Sequence, residues 1–451
     1  MRTGLFLFHR DLRVDDNTGL LRACAECDEV IPCFIVDPAQ ADPKKNPYRG
    51  EHAARFLAGA LLSLAHDIAE HGGALTILEG DTTAVLRTLL KGKTIHGVYA
   101  NRDYTPFAHR RDTAIAEVCS TFGVLFHASD DALLQPPEAV LKENGQPYTV
   151  FTPFWRKHAS LPLAAPRPFR GTLMRKSLPS STHDMRKLFF LGASPDAGLG
   201  RPAALRILSS LERQKRYETL RDIPALNATT HLSAHLKFGT CSPREAAAAI
   251  ATTLRDDHPL LRQLVWRDFF THIAFHFPRV FGKPFHSRYD GLEWSTDASA
   301  FERWANGTTG FPLVDAGMRE LKQTGFMHNR LRMITASFLV KDLHIDWRMG
   351  ERHFARYLTD YDPSVNNGNW QWAASTGCDA VPYFRVFNPW LQQKKFDPEC
   401  TYIKRHVPEV AEVPPRALHR WNTDRPDDHP YPPPMLDHAK ASAGARAMFE
   451  H

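Results

Sequence analysis

The stretch NNGNWQWAAS, Asn366 to Ser375, sets two tryptophans one residue apart among amides and glycine. Read as a helix, it sends Trp370 and Trp372 about 200° apart around the axis, so one ring can face a domain interior while the other lines a cavity. Asn366 and Asn367 bring amides to the same neighbourhood one turn earlier, and a buried amide needs a partner. A polar ligand inside the domain follows; the competing reading is that both indoles simply pack. Upstream, TTHLSAHLKFG (Thr229 to Gly239) puts the hydroxyls of Thr229, Thr230 and Ser233 beside a helix start. Hydroxyls and free N–H groups there suit a phosphate, and they suit ordinary capping equally. TDYDPSVNN places Asp360 and Asp362 two apart in a loop. Two such acids either accept hydrogen bonds from an N–H-rich ring and a ribose or stand solvated, and Arg332 lies on a helix suited to pair with one of them.

Elements of two kinds must position these groups. Over the first 130 residues short strands alternate with helices. GLFLFH and VIPCFIVD read as buried strands, DDNTGLLRACAEC as a capped helix, and RFLAGALLSLAHDIAEHG as an amphipathic helix ending in Gly. ALTILEG, GVYANRD and GVLFHASD continue the alternation, which predicts a parallel sheet with helices on both faces. No GxGxxG or P-loop follows the first strand. From about Gln135 to Pro202 the pattern gives way to Pro, Ser, Arg and Gly, with eight Lys/Arg and one acid between Phe154 and Lys187. That stretch reads as a solvated connector rather than a dedicated DNA grip. Beyond Pro202 the apolar residues recur at three and four, as in PLLRQLVWRDFFTHIAFHF and HNRLRMITASFLVKDLHIDW. The expected organisation is an α/β domain over 1–130, a connector over 131–201 and a larger all-α domain over 202–451, with no internal repeat.

The bulk properties agree. At 451 residues and 43% hydrophobic, the chain is long for one compact domain. A net charge of +6 permits a polyanionic partner without requiring one. MRTGLFLFHRDLRVDDN reaches charge after a short apolar run, unlike a secretory leader, and no stretch approaches ~18 uninterrupted apolar residues. Seven scattered cysteines suit a reducing compartment, so a cytoplasmic location is expected, beside the nucleoid in a prokaryote. The CxxC of Cys24 and Cys27 lies in a helical pattern and reads as packing.

FHRDLRVDDN, TTHLSAHLKFGTCSPRE, LVWRDFF, GFPLVDAGMRELKQTGFMHNRLRMITASFLVKDLHIDWRMGERHF and NNGNWQWAASTGCDAVPYFRVFNP together resemble the photolyase/cryptochrome family over nearly the whole chain, closest to class I-type cyclobutane-dimer enzymes. The resemblance implies a Rossmann-like α/β domain followed by a helical FAD-binding domain. It places Tyr217, Thr229, Thr230, His231, Leu232 and Ser233 at FAD-contacting positions, with the hydroxyls near the phosphates. It puts Asp360, Tyr361 and Asp362 at the flavin ring and ribose, Arg332 paired with Asp360, and Asn366 facing flavin N5. Trp370, Trp347 and Trp294 stand in the order of the family's electron-transfer chain. Trp266 and Trp372 match the rings lining the lesion cavity, and Arg267, Arg330 and Arg385 are candidates for phosphate or cofactor contacts. The implied activity is light-driven splitting of a flipped cyclobutane pyrimidine dimer in DNA by a monomer using reduced FAD.

Asn329 and Met333 stand where enzymes for (6-4) photoproducts carry histidines, which favours cyclobutane dimers. Gln263 is a departure, because related dimer enzymes have Glu there. An amide hydrogen-bonds the dimer's carbonyls but supplies no ionisable proton, which predicts a reduced repair yield. Phe326, for a usual Trp, is a tolerated aromatic swap. NRDYTPFAHRRD lacks the Glu of folate-binding versions, so a second, light-harvesting chromophore would be of flavin or deazaflavin type, the alternative being an empty site. The main alternative is a cryptochrome-type signalling flavoprotein, which Gln263 favours and the short C-terminal segment disfavours.

Overall fold

The computed structural model describes residues 1–92, 94–179, 181–182, 184–379 and 385–450. Five parallel strands form one sheet: β1 (Thr3–Phe8), β2 (Glu29–Val36), β3 (Thr76–Glu79), β4 (Gly97–Asn101) and β5 (Leu125–Ser129), in the order β3-β2-β1-β4-β5. β1 is central, and Leu5 lies between Ile31 of β2 and Val98 of β4. Its sequence TGLFLF is apolar on both sides of the pleat because helices cover both faces. Phe6, Phe8, Val30 and Ile77 enter one core layer, while Leu5, Leu7, Ile31 and Val98 enter the other. The crossovers are α1 (Thr18–Glu26), α2 (Glu51–Glu70), α3 (Thr82–Gly92) and α4 (Pro106–Thr121). Asn17 caps α1 by accepting from the Leu20 amide at 3.1 Å. The pair Cys24 and Cys27 packs as expected: burial pushes the Cys24 thiol up to about 12, and Cys27 Sγ lies 3.6 Å from the Tyr99 hydroxyl.

The chain forms two compact units. The first comprises Met1–Lys215, Thr230–Pro278 and Thr359–Ser364. Beside the sheet it holds α5 (Phe151–Ala159), α6 (Ser233–Phe238), α7 (Pro243–Thr253) and α8 (Pro259–His276). The segment RDLRVDDN, directly after β1, ties the sheet to these helices. The Leu12 amide donates to the Phe238 carbonyl at 3.0 Å, and Gly239, at φ +66°, lets the backbone of Arg10 and Asp11 come too close for any Cβ. Arg13 meets Asp131 at 2.6 Å, and Arg244 meets Asp131 at 2.8 Å and Asp16 at 2.9 Å. A capping box of Ser242 and Glu245 starts α7, and Glu245 also holds Arg201 at 2.7 Å.

Residues 131–201, expected as a solvated connector, belong by packing to this first unit. Phe151, Phe154, Leu173, Leu178 and Met185 are buried. Asp268 of α8 accepts from the amides of Leu134 at 2.8 Å and Gln135 at 3.2 Å, and lies 3.2 Å from His158 Nε2. Pro and Arg interrupt the segment, but apolar residues spaced along it anchor it to partners distant in sequence. The stretch between, 159–172, remains largely exposed.

The second unit comprises Arg216–Thr229, Arg279–Leu358 and Val365–His451. Its helices include α9 (Ala298–Asn306), α10 (Pro312–Thr324), α11 (Asn329–Ser337), α12 (Trp347–Tyr357), α13 (Pro363–Ala373) and α14 (His438–Glu450). No helix among the described residues is long and apolar enough to cross a membrane.

Candidate active site

In the second unit, α13 carries NNGNWQWA as a helix, with Asp362 before it and Pro363 at its first position. Trp370 is buried and Trp372 half-buried, as a separation of about 200° requires. Trp370 packs edge-on to Phe354 of α12 at 4.9 Å and to Trp304 of α9 at 6.3 Å. Gly350 makes this possible, because a Cβ there would overlap the Trp370 indole. Trp372 instead meets Phe387 at 6.4 Å.

Asn366 sits one turn before Trp370. Its amide nitrogen donates to the backbone carbonyl of Glu351 at 3.2 Å. That bond uses one of the two N–H donors and orients the amide, whose oxygen can accept from a ligand. Asn367 donates to the Glu351 carboxyl at 3.0 Å and to the Val280 carbonyl at 2.9 Å. Burial pushes the Glu351 carboxyl up to about 7, with the Asn367 bond only partly opposing it. Sequence reasoning missed Glu351. Its signal was the i, i+4 spacing from Trp347 on the same helix.

Trp347 is fully buried, Trp294 is half-buried, and Phe449 of α14 packs edge-on to Trp294 at 6.1 Å. The indole nitrogens of Trp347 and Trp370 are buried and meet no acceptor among the described residues. On α11, Asn329 Nδ2 lies 3.7 Å from the sulfur of Met333, so the two side chains form one i, i+4 surface. Arg330 is committed to Asp222 at 2.8 Å and stacks over Phe396 at 4.3 Å. Arg332 donates to the Met327 carbonyl at 2.8 Å. Arg385 lies over Phe387 at 5.0 Å. Tyr217 is buried, with Arg221 5.8 Å over its ring, and burial raises its hydroxyl's pKa.

In the first unit, α8 carries Gln263, Trp266 and Arg267 at i, i+3 and i+4. Gln263 is exposed and Trp266 half-buried. One face of Trp266 is covered by Phe151, 3.5 Å away and parallel within 5°. Two Arg267 nitrogens are spent on the carbonyls of Ala132 and Leu236. Thr230 accepts from the Leu232 amide at 3.3 Å, His231 adopts φ +56°, and Ser233 opens α6. Thr229, at the margin of the second unit, is half-buried.

Asp360, Tyr361 and Asp362 also lie in the first unit. Tyr361 stacks on Tyr48 at 6.3 Å. Asp362 accepts from the Ser364 amide at 3.0 Å and from the guanidinium of Arg10. Burial works against its ionisation, yet Arg10, Lys237 and Arg267 hold it well below the usual carboxylate range. The same burial, with Arg10 adding to it, lowers the Lys237 amine to about 8.

At the carboxyl ends of β1 and β2 the first unit has a crevice lined by Leu7, His9, Ile35, Thr82, Phe107 and Arg111, among others. Strand order reverses beside β1, the usual ligand position in an open α/β sheet. His9 Nδ1 is buried and meets no partner among the described residues, and burial holds the imidazole neutral.

Residues 4–169 match the family model described as DNA photolyase, and residues 260–451 match that described as FAD binding domain of DNA photolyase. The deoxyribodipyrimidine photo-lyase of Alkalihalophilus pseudofirmus is 36% identical over 98% of this chain and 97% of its own length. The archaeal photolyase from Sulfolobus tokodaii, solved with two FAD molecules, superposes with a TM-score of 0.89 at 38% identity and covers 99% of both chains. The class III photolyase from Agrobacterium tumefaciens gives 0.90 at 35%, covering 100% of this chain and 98% of that one. A parallel-sheet α/β unit joined in one chain to a helical, FAD-binding domain defines a two-part flavoprotein. The chain belongs to the DNA photolyase family. It is a FAD-binding lyase of DNA repair, which the relatives favour over the signalling alternative.

Proposed function

We propose that the chain uses light to split cyclobutane pyrimidine dimers that have been flipped out of DNA. The observation that carries this reading is α13, where the Asn366 amide, oriented by its bond to the Glu351 carbonyl, lies one turn before buried Trp370 while Trp372 turns to a different face. These residues fit FAD. The Asn366 oxygen would accept from an N–H on the ring, Asp360 and Asp362 would accept from the ring's imide or ribose hydroxyls, and Thr229, Thr230 and Ser233 would offer hydroxyls to the phosphates. Tyr217, His231, Leu232, Arg332 and Tyr361 complete the set. When bound and reduced, FAD supplies the photoexcited electron.

The protein's own residues position the reactants. Chemistry on a stacked base requires its extrusion from the duplex, which is least costly for a damaged pair. Trp266 and Trp372 offer ring faces worth roughly 1–3 kcal/mol each for a base that stacks on them. Phe151 holds Trp266 flat, so the opposite face is the one offered. Gln263 donates and accepts at the dimer's carbonyls, and Asn329 with Met333 forms the surface that distinguishes the dimer from other lesions. Arg267 and Arg330 support these walls through their fixed partners. Trp370, Trp347 and Trp294 carry charge between the site and the surface. Among the described residues no acceptor meets the two inner indole nitrogens, so none of these residues is placed to take their protons when they are oxidised.

We assign a second chromophore, of flavin or deazaflavin type, to the crevice beside β1. His9 and Arg111 there suit a planar heterocycle with polar edges. The chain works as a monomer in the cytoplasm. The test is to reduce the protein anaerobically, illuminate it with dimer-containing oligothymidylate and follow base absorbance. Recovery is expected in light only. Unchanged absorbance with FAD bound and reduced would overturn the assignment.

A further inference from the structure

Arg10 belongs to none of the candidate sets above, yet its surroundings single it out. It stands two residues past β1, and its backbone is pinned where Gly239 lets the chain pass close. Its guanidinium meets three acceptors at once: the Asp362 carboxylate, the Asp103 carboxylate at 3.3 Å and the Lys237 carbonyl at 3.2 Å. The side chains of Arg10, Asp103 and Asp362 are only 14%, 16% and 10% accessible, so solvent screens the ion pairs weakly. Asp362 is thereby held from two sides. One oxygen caps α13 through Ser364 and the other takes Arg10. A planar fork with several donors fixes the plane of a carboxylate as a point charge cannot.

We propose that Arg10 is a positioning residue of the flavin site: it keeps Asp362 ionised and aimed, and it offsets the negative charge that Asp362 presents to the cofactor. This rests on the reading that Asp362 contacts FAD. Two consequences follow. Without the fork, Asp362 loses its orientation and the cofactor is held less firmly. Without the positive charge, the carboxylate opposes the extra electrons of the reduced cofactor, and the reduction potential falls.

The test uses the full-length holoprotein and the variants Arg10→Gln, Arg10→Lys, Asp362→Asn and the double variant Arg10→Gln/Asp362→Asn. Two quantities are read: FAD release after dilution, followed by the fluorescence of freed flavin, and the midpoint potential of bound FAD. Arg10→Gln should speed FAD release about tenfold, the scale of one charge-assisted hydrogen bond, and move the potential negative. Asp362→Asn, which removes one of the two carboxylates facing Arg10, should move the potential positive, and the double variant should return it towards wild type. Arg10→Lys should keep the potential while still releasing FAD faster, so this variant carries the test if Arg10→Gln does not fold. Loss of thermal stability in Arg10→Gln with an unmoved potential would show a merely structural role and overturn the proposal. So would wild-type release by Arg10→Lys. If Asp362→Asn changes neither quantity, the assignment of Asp362 to FAD is what fails, and the proposal falls with it.

Discussion

The first unit holds its interior polar groups with ions, and the second holds its aromatic rings by packing. Arg13, Asp131, Arg244 and Asp16 form a buried network in which each carboxylate meets a guanidinium within 3 Å. Around Trp370, by contrast, Trp304 and Phe354 contribute rings, and the Trp370 nitrogen meets no acceptor among the described residues. Ion pairs define direction and charge state, at the cost of sensitivity to pH and to loss of one partner. Packed rings define position without fixing protons, which suits groups whose task is to exchange electrons. Glu351 is a buried acid among those rings, and there burial prevails, because the Asn367 amide and the more distant Arg348 and Arg352 only partly oppose it.

The largest effect is expected where the ion network is broken. Asp131→Asn leaves Arg13 and Arg244 facing an amide, and should destabilise the protein by about 3–5 kcal/mol in urea unfolding. Burial disfavours the Asp131 charge, but Arg13 and Arg244 hold its carboxyl at about 2, below the unfolded value. Its contribution is therefore present above about pH 4 and lost as pH falls through about 2. A wild-type acid transition that survives unchanged in Asp131→Asn would dissolve the contrast between the units.

Glu351 should behave in the opposite sense. Its folded pKa of about 7 lies above the unfolded value, so its relative stabilisation is complete below about pH 4.5 and lost as pH rises through 7. Glu351→Gln should match wild type in acid and exceed it at pH 8 by something on the order of 3 kcal/mol. Equal pH profiles for the two proteins would mean that the carboxyl is not held in an apolar setting.

Gly350→Ala tests the packing directly. The added methyl meets Trp370, and overpacking of this kind costs about 1–3 kcal/mol. The near-ultraviolet circular dichroism of the indoles should change with it. An unaltered spectrum and stability would show that the rings have room to spare.

The smallest structural effect belongs to Gln263→Glu. The side chain is exposed, so stability should stay within about 0.5 kcal/mol. The readout that should move is the quantum yield of dimer splitting, which is expected to rise. A fall would show that the amide is tuned to its place.

Much of the fold was legible. GLFLFH and VIPCFIVD read as strands because a strand covered on both faces must be continuously apolar. DDNTGLLRACAEC read as a capped helix for the same chemical reason that Asn17 caps it. The segment 131–201 was not legible. Its anchors, Phe151, Leu173, Leu178 and Met185, are scattered among Pro and Arg, and they meet partners that local composition does not reveal. Within the site, the opposed directions of Trp370 and Trp372 were readable from spacing alone. The commitment of Arg267 to carbonyls and of Arg330 to Asp222 was not, since an arginine's partners are chosen by whichever acceptors the fold brings near.

The amino-acid sequence by itself determined the periods: which stretches are strands, which are helices, and which residues of a helix share a face. These follow from local geometry and from the separation of apolar from polar positions. Tertiary structure alone decided the charge of Asp362, the elevated pKa of Glu351 and the way the Asn366 amide points. Each of these depends on burial or on a group brought close by folding, such as Arg10 for Asp362, and Coulomb and hydrogen-bond energies are set by distance in space rather than along the chain.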